Sequence, residues 1–429
     1  MKKWNIWKGM VVLTLALGVA SLTLILGTSS LIPPARGAAE PINIGFLISY
    51  TGTLGWVGAC QVGADIAKDE INAAGGVLGR PIEIKVVDDE SKSDAAIAGE
   101  EKLVNIDKVP AIIGPTSLTF RSVLPLAEKY RVIQLSPCAG STALDFIKSK
   151  FLFRTVSSDL GMATGHAFVA KQRGYKKVAL FYADDESSQS NRGVNIPACK
   201  ILGLEIVADI TYNPRQSSYR SELMNLFKNK PEVVFFEAEP QSGAVIFKQV
   251  TELGLKADWL GTDYVNDQFL EATWPYSKGV GAVQPAAIPT DRYKAFAKEV
   301  EKRRGKPGMP LFSANAYDAL TIICLAMESG KKVNGDAIAE NMRVVANPPG
   351  TKVYNFAEGV KLLRQGKKID YDGLAGSQNF DDTGNVITSL GIVKIEDNKR
   401  IYLGYLSEAD LGETLQKVKK IFTPVTPAK

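Results

Sequence analysis

Asp263 lies in Gly261-Thr262-Asp263-Tyr264, directly after an apolar run, and Glu239 lies likewise in Glu237-Ala238-Glu239-Pro240. Ala183-Asp184-Asp185-Glu186-Ser187-Ser188 is a third acidic segment of the same kind, and together the three suit a cation. Earlier in the chain the chemistry is the converse. Gly114-Pro115-Thr116-Ser117-Leu118-Thr119 and Ser136-Pro137-Cys138-Ala139-Gly140-Ser141 are small and hydroxyl-bearing, so a ligand can come close to their backbone. Where such segments open helices, unpaired N–H groups and the helix dipole attract a carboxylate by about 0.3–2 kcal/mol per terminus. An anion-holding segment facing a cation-holding one describes a zwitterion site; the competing reading is that the acidic loops are merely solvated. Trp56, an aromatic among glycines in Gly52-Thr53-Leu54-Gly55-Trp56-Val57-Gly58, either covers an edge or walls a small organic ligand.

Catalytic templates find little support. The single histidine, His166, sits among Gly165, Ala167 and Phe168 on an expected helix and reads as a packed residue. No Gly-x-Ser-x-Gly elbow precedes it, and no Walker loop is present. The glycines at 52, 55 and 58 are spaced G-x-x-G-x-x-G, which does not provide the tight turn and close pyrophosphate approach of a dinucleotide site. Gly75-Gly76-Val77-Leu78-Gly79 follows a helix and precedes a strand, the wrong order for cradling a phosphate. Cys60, Cys138, Cys199 and Cys324 show no C-x-x-C spacing, so zinc is not expected. Whether Cys60 and Cys138 meet in a disulfide stays open, since spacing alone cannot fix that geometry. No enzyme activity, cofactor or metal is expected.

These loops must be positioned by strands and helices in alternation. Short β-branched runs at 44–48, 82–87, 111–113, 132–135, 151–156, 177–182, 205–211, 233–236 and 258–260 read as strands. Helical periods fall between them, as at 62–71, 159–173, 218–228 and 242–253. Such alternation implies α/β architecture with parallel sheets covered on both faces, which bind ligands beyond the carboxyl ends of their strands. Further helices are expected at 291–304, 313–328 and 335–346, and a hairpin-like region at 378–385, before a β-prone run at 390–395. A chain of 429 residues is long for one core, so two lobes with several short crossings are expected.

Composition is ordinary for a soluble globular protein, with 45% apolar and 23% charged residues. The N-terminus differs. Lys2, Lys3 and Lys8 precede an apolar run from Met10 to Gly27, then the small residues of Ala35-Arg36-Gly37-Ala38-Ala39. This is the layout of a secretory signal peptide over residues 1–39, cleaved on export; the competing reading is an uncleaved anchor. With no cysteine following the apolar run, a lipoprotein is not expected. Four of the basic residues and none of the acids lie in that segment, so the formal +5 of the chain falls to +1 for the exported part. Nucleic-acid binding is therefore not expected.

Several stretches resemble a known family. Pro41-Ile42-Asn43-Ile44-Gly45-Phe46 with Thr51-Gly52, and then Asp69 to Ile82 with its Asn-Ala-Ala-Gly-Gly-Val-Leu-Gly-Arg-Pro core, are similar to the opening of type I periplasmic solute-binding proteins of the leucine/isoleucine/valine-binding branch. Asp88-Asp89, Ile113-Gly114-Pro115, Leu135-Ser136-Pro137, Phe153-Arg154-Thr155, Tyr317-Asp318-Ala319 and Ser377 to Asn385 fit the same pattern. The resemblance implies two Rossmann-like lobes joined by three hinge crossings, in a Venus-flytrap arrangement that closes on its ligand. It also implies presentation of the closed form to an ABC-transporter membrane permease. The lobes are expected at 41–157 plus 285–373 and at 158–284 plus 374–429.

The resemblance also implies site roles. The carboxylate-holding serine falls on Ser117 or Leu118, with Thr119 adjacent; a small residue and a threonine fall on Cys138 and Gly140; the amine-holding acid falls on Asp263. Gly140 departs, having no hydroxyl. Val57, with Trp56 beside it, and Ser187 stand where aromatics are usual, and the family's short disulfide is missing near Ser91. The resulting expectation is a monomeric, periplasmic binding protein for an amino acid or related carboxylate. Ser117, Thr119 and the backbone of Cys138, Ala139, Gly140 and Ser141 hold the carboxylate; Asp263, with Glu239, holds the amine; Trp56 and Tyr264 enclose the side chain. The alternatives are an amide, urea or aromatic acid as ligand, or a sensor in place of a transport component.

Overall fold

The computed structural model describes residues 39–422. Among these, the first sheet is formed by β1 (Ile42–Ile48), β2 (Ile82–Asp88), β3 (Ala111–Ile113), β4 (Ile133–Ser136) and β5 (Leu152–Arg154), all parallel, in the order β2-β1-β3-β4-β5. The inner strands are almost wholly buried, as expected of parallel strands covered on both faces. The crossovers supply α1 (Gln61–Ala73), α2 (Ser93–Asn105) and α3 (Phe120–Tyr130).

From β5 the chain passes into α4 (Asp159–Gln172) and a second βα series: β6 (Lys177–Ala183), α5 (Glu186–Leu202), β7 (Glu205–Tyr212), α6 (Arg220–Phe227), β8 (Val233–Phe236), α7 (Pro240–Glu252), β9 (Asp258–Gly261), α8 (Asp267–Thr273) and β10 (Gly281–Pro285). It returns to the first lobe as α9 (Asp291–Arg304), α10 (Ser313–Gly330), α11 (Gly335–Ala346), β11 (Thr351–Val353), α12 (Phe356–Leu363) and β12 (Ile369–Tyr371). A third passage carries β13 (Leu390–Glu396), β14 (Lys399–Leu406) and α13 (Glu408–Ile421) onto the second sheet, whose order is β14-β13-β10-β9-β8-β6-β7. The fold is thus two Rossmann-like α/β lobes with three crossings.

Packing follows from the sequence periods. Ser313 to Glu328 are buried all along α10, as befits a helix apolar on every side. It lies inside the first core with Ile66, Ile338 and Phe356. Close approach of α1 needs Gly63, where a Cβ would stand 1.8 Å from the Ser313 carbonyl oxygen. The second sheet is covered on one face by α4, α5 and α13 through Leu160, Val194 and Leu415, and on the other by α6, α7 and α8 through Leu223, Phe247 and Phe269. Phe380 and Val386 still belong to the first core.

The crossings are tied to one another. The Thr388 N–H donates to Ser157 Oγ (2.5 Å), and Asn315 Nδ2 donates to the Thr155 carbonyl (2.6 Å). Arg154 is buried at the end of β5. Its Nη1 donates to the carbonyls of Ala139 (3.1 Å) and Ser141 (3.0 Å), its Nη2 pairs with Asp145, and Asp145 accepts from Ser158 Oγ (2.7 Å). One guanidinium therefore fastens the loop after β4 to the first crossing.

Several expectations need correction. The strand expected at 151–156 is confined to Leu152–Arg154. Residues 378–385 form no hairpin: the Asp381 carboxylate gathers the N–H groups of Thr383 (2.8 Å) and Asn385 (2.9 Å), and the Gly384 carbonyl accepts from the Arg154 N–H (3.0 Å). The hairpin is β13–β14, turned by Asp397 (φ 48°) and Asn398 (φ 57°), the left-handed pair a two-residue turn requires. Cys60 and Cys138, like the other two cysteines, are free thiols. The export signal lies, but for Ala39, outside the described residues. Within them no helix is long and apolar enough to cross a membrane.

Two stability predictions follow from buried charge. Replacing Arg154 by Met leaves Asp145 buried without its partner, and urea unfolding should show a loss of about 3–5 kcal/mol. Glu100, on α2, is held by Gln134 Nε2 (2.6 Å), and burial pushes its carboxyl from 4.5 up to about 8. The folded carboxyl thus keeps a proton that the unfolded one has lost, so stability falls as pH rises through that window, by about 1.4 kcal/mol per unit for one proton. Glu100→Gln should flatten the decline of the melting midpoint between pH 6 and 8; an unchanged slope would contradict the assignment.

Candidate functional site

The carboxyl ends of both sheets face one seam, and the lobes touch across it. From the first lobe, the Thr142 N–H donates to Ser190 Oγ (2.9 Å) and Ser141 Oγ to Glu186 Oε1 (3.4 Å), while from the second Arg215 Nη2 donates to Thr53 Oγ1 (3.2 Å). Trp56, carried by a short 3-10 turn after β1 (Gly55–Cys60), stacks on Phe312 at 6.0 Å and meets the ring of Tyr264 edge-on at 5.9 Å. The arrangement is closed. Trp56 Nε1 and the Tyr264 hydroxyl are buried and have no protein partner among the described residues.

The segments expected to hold a carboxylate are largely engaged within the protein. The N–H groups of Cys138 (3.3 Å) and Ala139 (2.9 Å) both point to Ser136 Oγ. The Ser141 N–H donates to Ser117 Oγ (3.2 Å). Thr119 Oγ1 donates to Asp89 Oδ2 (2.7 Å), while Asp89 Oδ1 accepts from Ser49 Oγ (2.5 Å). Thr119 is thus a strut of the first lobe. Cys138 lies half-buried beside Ser136, and burial raises its thiol well above the ordinary range.

Gly140 is the pivot. A Cβ built there would lie 2.1 Å from Asp159 Oδ1, so any side chain at 140 would collide with that carboxyl group. Asp159 opens α4, with its N–H donating to the Gly140 carbonyl (2.8 Å). It is only 5% exposed and its Oδ2 has no partner. Burial, opposed by a hydrogen bond with Ser190 and reinforced by the nearby charge of Asp263, pushes its carboxyl up to about 7.

The second lobe brings further acids to the seam. Burial pushes Asp263 up to about 6. Glu237, at the end of β8, is 1% exposed and raised well above its usual range by burial and then by Asp263, Asp185 and Asp159. Its Oε1 accepts from Thr262 Oγ1 (2.9 Å), while Oε2 is unpartnered. Glu239 takes a different role from the expected one. It caps α7, accepting from the N–H groups of Gln241 (2.9 Å) and Ser242 (3.0 Å) and from Ser242 Oγ (2.7 Å). Ser187 lies half-buried near the start of α5, beside Tyr264. Asp185 caps the same helix through the Ser188 N–H (2.9 Å).

The structure therefore gathers Ser117, Cys138, Gly140, Ser187, Asp263, Tyr264 and Trp56 around the seam, keeps Thr119, Ala139 and Glu239 in structural roles, and adds Asp159 and Glu237. Glycine at 140 was the available signal for Asp159. Nothing in the local sequence separates Glu237 from Glu239 except strand phase. Among the described residues, no three His, Cys, Asp or Glu side chains are grouped as a metal site requires.

Comparison with known proteins agrees with this fold. The chain is 25% identical over 314 residues to the leucine-, isoleucine-, valine-, threonine- and alanine-binding protein of Pseudomonas aeruginosa, covering 71% of this chain and 83% of that one. Among solved structures, a leucine-binding protein from Thermotoga maritima superposes with a TM-score of 0.75 at 21% identity, over 86% of this chain and 99% of that one. An ABC-transporter solute-binding protein from R. palustris in complex with benzoate gives 0.71 at 19%, over 86% and 97%. Residues 41–400 match the family model of periplasmic binding proteins, and the chain belongs to that family.

Proposed function

We propose that this protein is an exported, non-enzymatic binding protein that captures a small nitrogen-bearing organic solute in the seam between its lobes and delivers it to an ABC-transporter permease. The observation that carries this reading is the convergence of Asp263, Glu237 and Asp159 on a closed seam walled by Trp56 and Tyr264. A buried carboxyl without a partner is unfavourable by several kcal/mol; a ligand N–H group removes that penalty, and Trp56 of the first lobe covers such a ligand only when the lobes meet. Closure is then the binding event, and the closed form is what a permease would read. Relatives named for branched-chain amino acids support the transport role. The lobes act about the three crossings, in a monomer, at the boundaries given by the sequence.

A sensor would use the same closure to signal to a different partner, and neighbouring permease and ATPase genes separate the two. Solute recovered unchanged after denaturation would separate binding from turnover.

Asp263→Asn should weaken binding of an amine-bearing solute by about 10- to 100-fold, the range of a hydrogen bond to a charged group. Because burial holds Asp263 protonated up to about 6, affinity of the parent protein should rise between pH 5 and 7.5 as the carboxyl ionises, with Asp159, raised to about 7, adding to the trend. Titration calorimetry across that range checks both; equal affinity in the variant, or tighter binding in acid, would remove Asp263 from the site.

A further inference from the structure

We infer that the captured solute carries no carboxylate and is a small organic cation whose N–H groups are held at two points, by Asp159 at the start of α4 and Glu237 at the end of β8. This rests on reading the seam as a solute site, and it names the class of solute.

Three sets of observations support it independently. The place where a side chain at position 140 would meet a ligand is filled by Asp159 Oδ1, 2.1 Å from the Cβ position. An anion there would face a carboxyl group in place of a donor. Four backbone donors of the loop after β4 that could meet an α-carboxylate are committed inside the protein: Cys138 and Ala139 to Ser136, Ser141 to Ser117, and Thr142 to Ser190. Finally, two carboxyl oxygens on residues no more than 5% exposed, Asp159 Oδ2 and Glu237 Oε2, lack any partner among the described residues.

Ser190 and Asn191 are consecutive on α5; the first hydrogen-bonds Asp159 and the second reaches Glu237 Oε1 (3.5 Å), so both carboxyl groups border the same turn of that helix. The guanidinium that registers on Asp159 is that of Arg154, already held by Asp145, Ala139 and Ser141. Buried carboxyl oxygens of this kind accept N–H groups and are satisfied by cations. An organic nitrogen bearing N–H groups is complementary to them. The Trp56 indole N–H can be satisfied by an acceptor such as an amide or hydroxyl oxygen, and its ring and that of Tyr264 suit a cation.

Matched series test the claim on the unaltered protein after exhaustive dialysis: leucine, leucinamide and 3-methylbutylamine; phenylalanine, phenylalaninamide and phenethylamine; lysine, lysinamide and cadaverine; with benzoate as the anion. The expected result, by thermal shift and calorimetry, is at least one series in which the amide or amine binds ten-fold or more tightly than the amino acid. Asp159→Asn, with Glu237→Gln as a second variant, should reduce that preference at least five-fold. An amino acid or benzoate binding more tightly than its carboxylate-free counterparts would overturn the inference and leave solute capture standing. So would a carboxylate-bearing solute identified by mass spectrometry in protein denatured straight from its host. No binding in any series, with no solute recovered from the host protein, would overturn both the inference and the capture reading.

Discussion

Carboxyl groups of the second lobe are gathered at the seam where the two sheets meet. Burial raises Asp159, Asp185, Glu237 and Asp263 above the ordinary carboxylate range, and the charge of neighbouring acids adds to it at Glu237 and Asp159. Like charges in a medium of low effective dielectric repel more strongly than in water, so joint ionisation of these acids inside a closed seam is unfavourable. Either protons or a ligand must supply the balancing charge. Stability of the closed arrangement and occupancy of the seam are thereby set by the same interaction.

Such a cluster is tolerated only where its scaffold cannot relax away. The two sheets present their carboxyl ends to the seam because every βα crossover leaves a strand there. The loop after β4 is not free to retreat, since Arg154 grips its Ala139 and Ser141 carbonyls from below. Ser157 is bonded to Thr388, and Thr155 to Asn315, so the first crossing is tied to the third and to α10. Each crossing is short, which lets the lobes pivot as bodies while the acid cluster keeps its geometry. The first lobe's hydroxyls, Thr119 on Asp89 and Ser136 under Cys138 and Ala139, are part of this bracing.

Much of this architecture is legible in the sequence, because a buried parallel strand needs a short β-branched run and a crossover helix needs a period near 3.6. The first four strands and the helices from Asp291 to Ala346 are read that way almost to the residue. The hairpin is misplaced because Asp-Asp-Thr-Gly-Asn carries stronger turn chemistry than Glu-Asp-Asn-Lys, yet Asp381 uses that chemistry to close a crossing. Site residues divide similarly. Asp263 is singled out because it follows a strand and because the family resemblance implies an acid at that place. Glu237 and Glu239 differ by one strand period: the first stays at the sheet's end, while the second falls at the start of a helix and caps it. Asp159 is hidden as an ordinary first-turn acid, and only its contact with Gly140 gives it away.

That contact also bears on selectivity. A threonine at 140 would have brought a hydroxyl to the seam and displaced Asp159; glycine removes the hydroxyl and admits the acid. On the proposed reading this one exchange puts an acid where the first lobe would otherwise have offered a hydroxyl. A ligand that bonds equally well to open and closed forms shifts nothing between them, however tightly it binds. A solute nitrogen held by Asp159 and Glu237 does shift the balance, because the first lobe, through Trp56, completes its enclosure only when the seam is shut. A carboxylate could satisfy neither. Selection of the solute and the trigger for closure are then not separate devices, since the group that recognises the ligand is the group whose burial opposes the empty closed state.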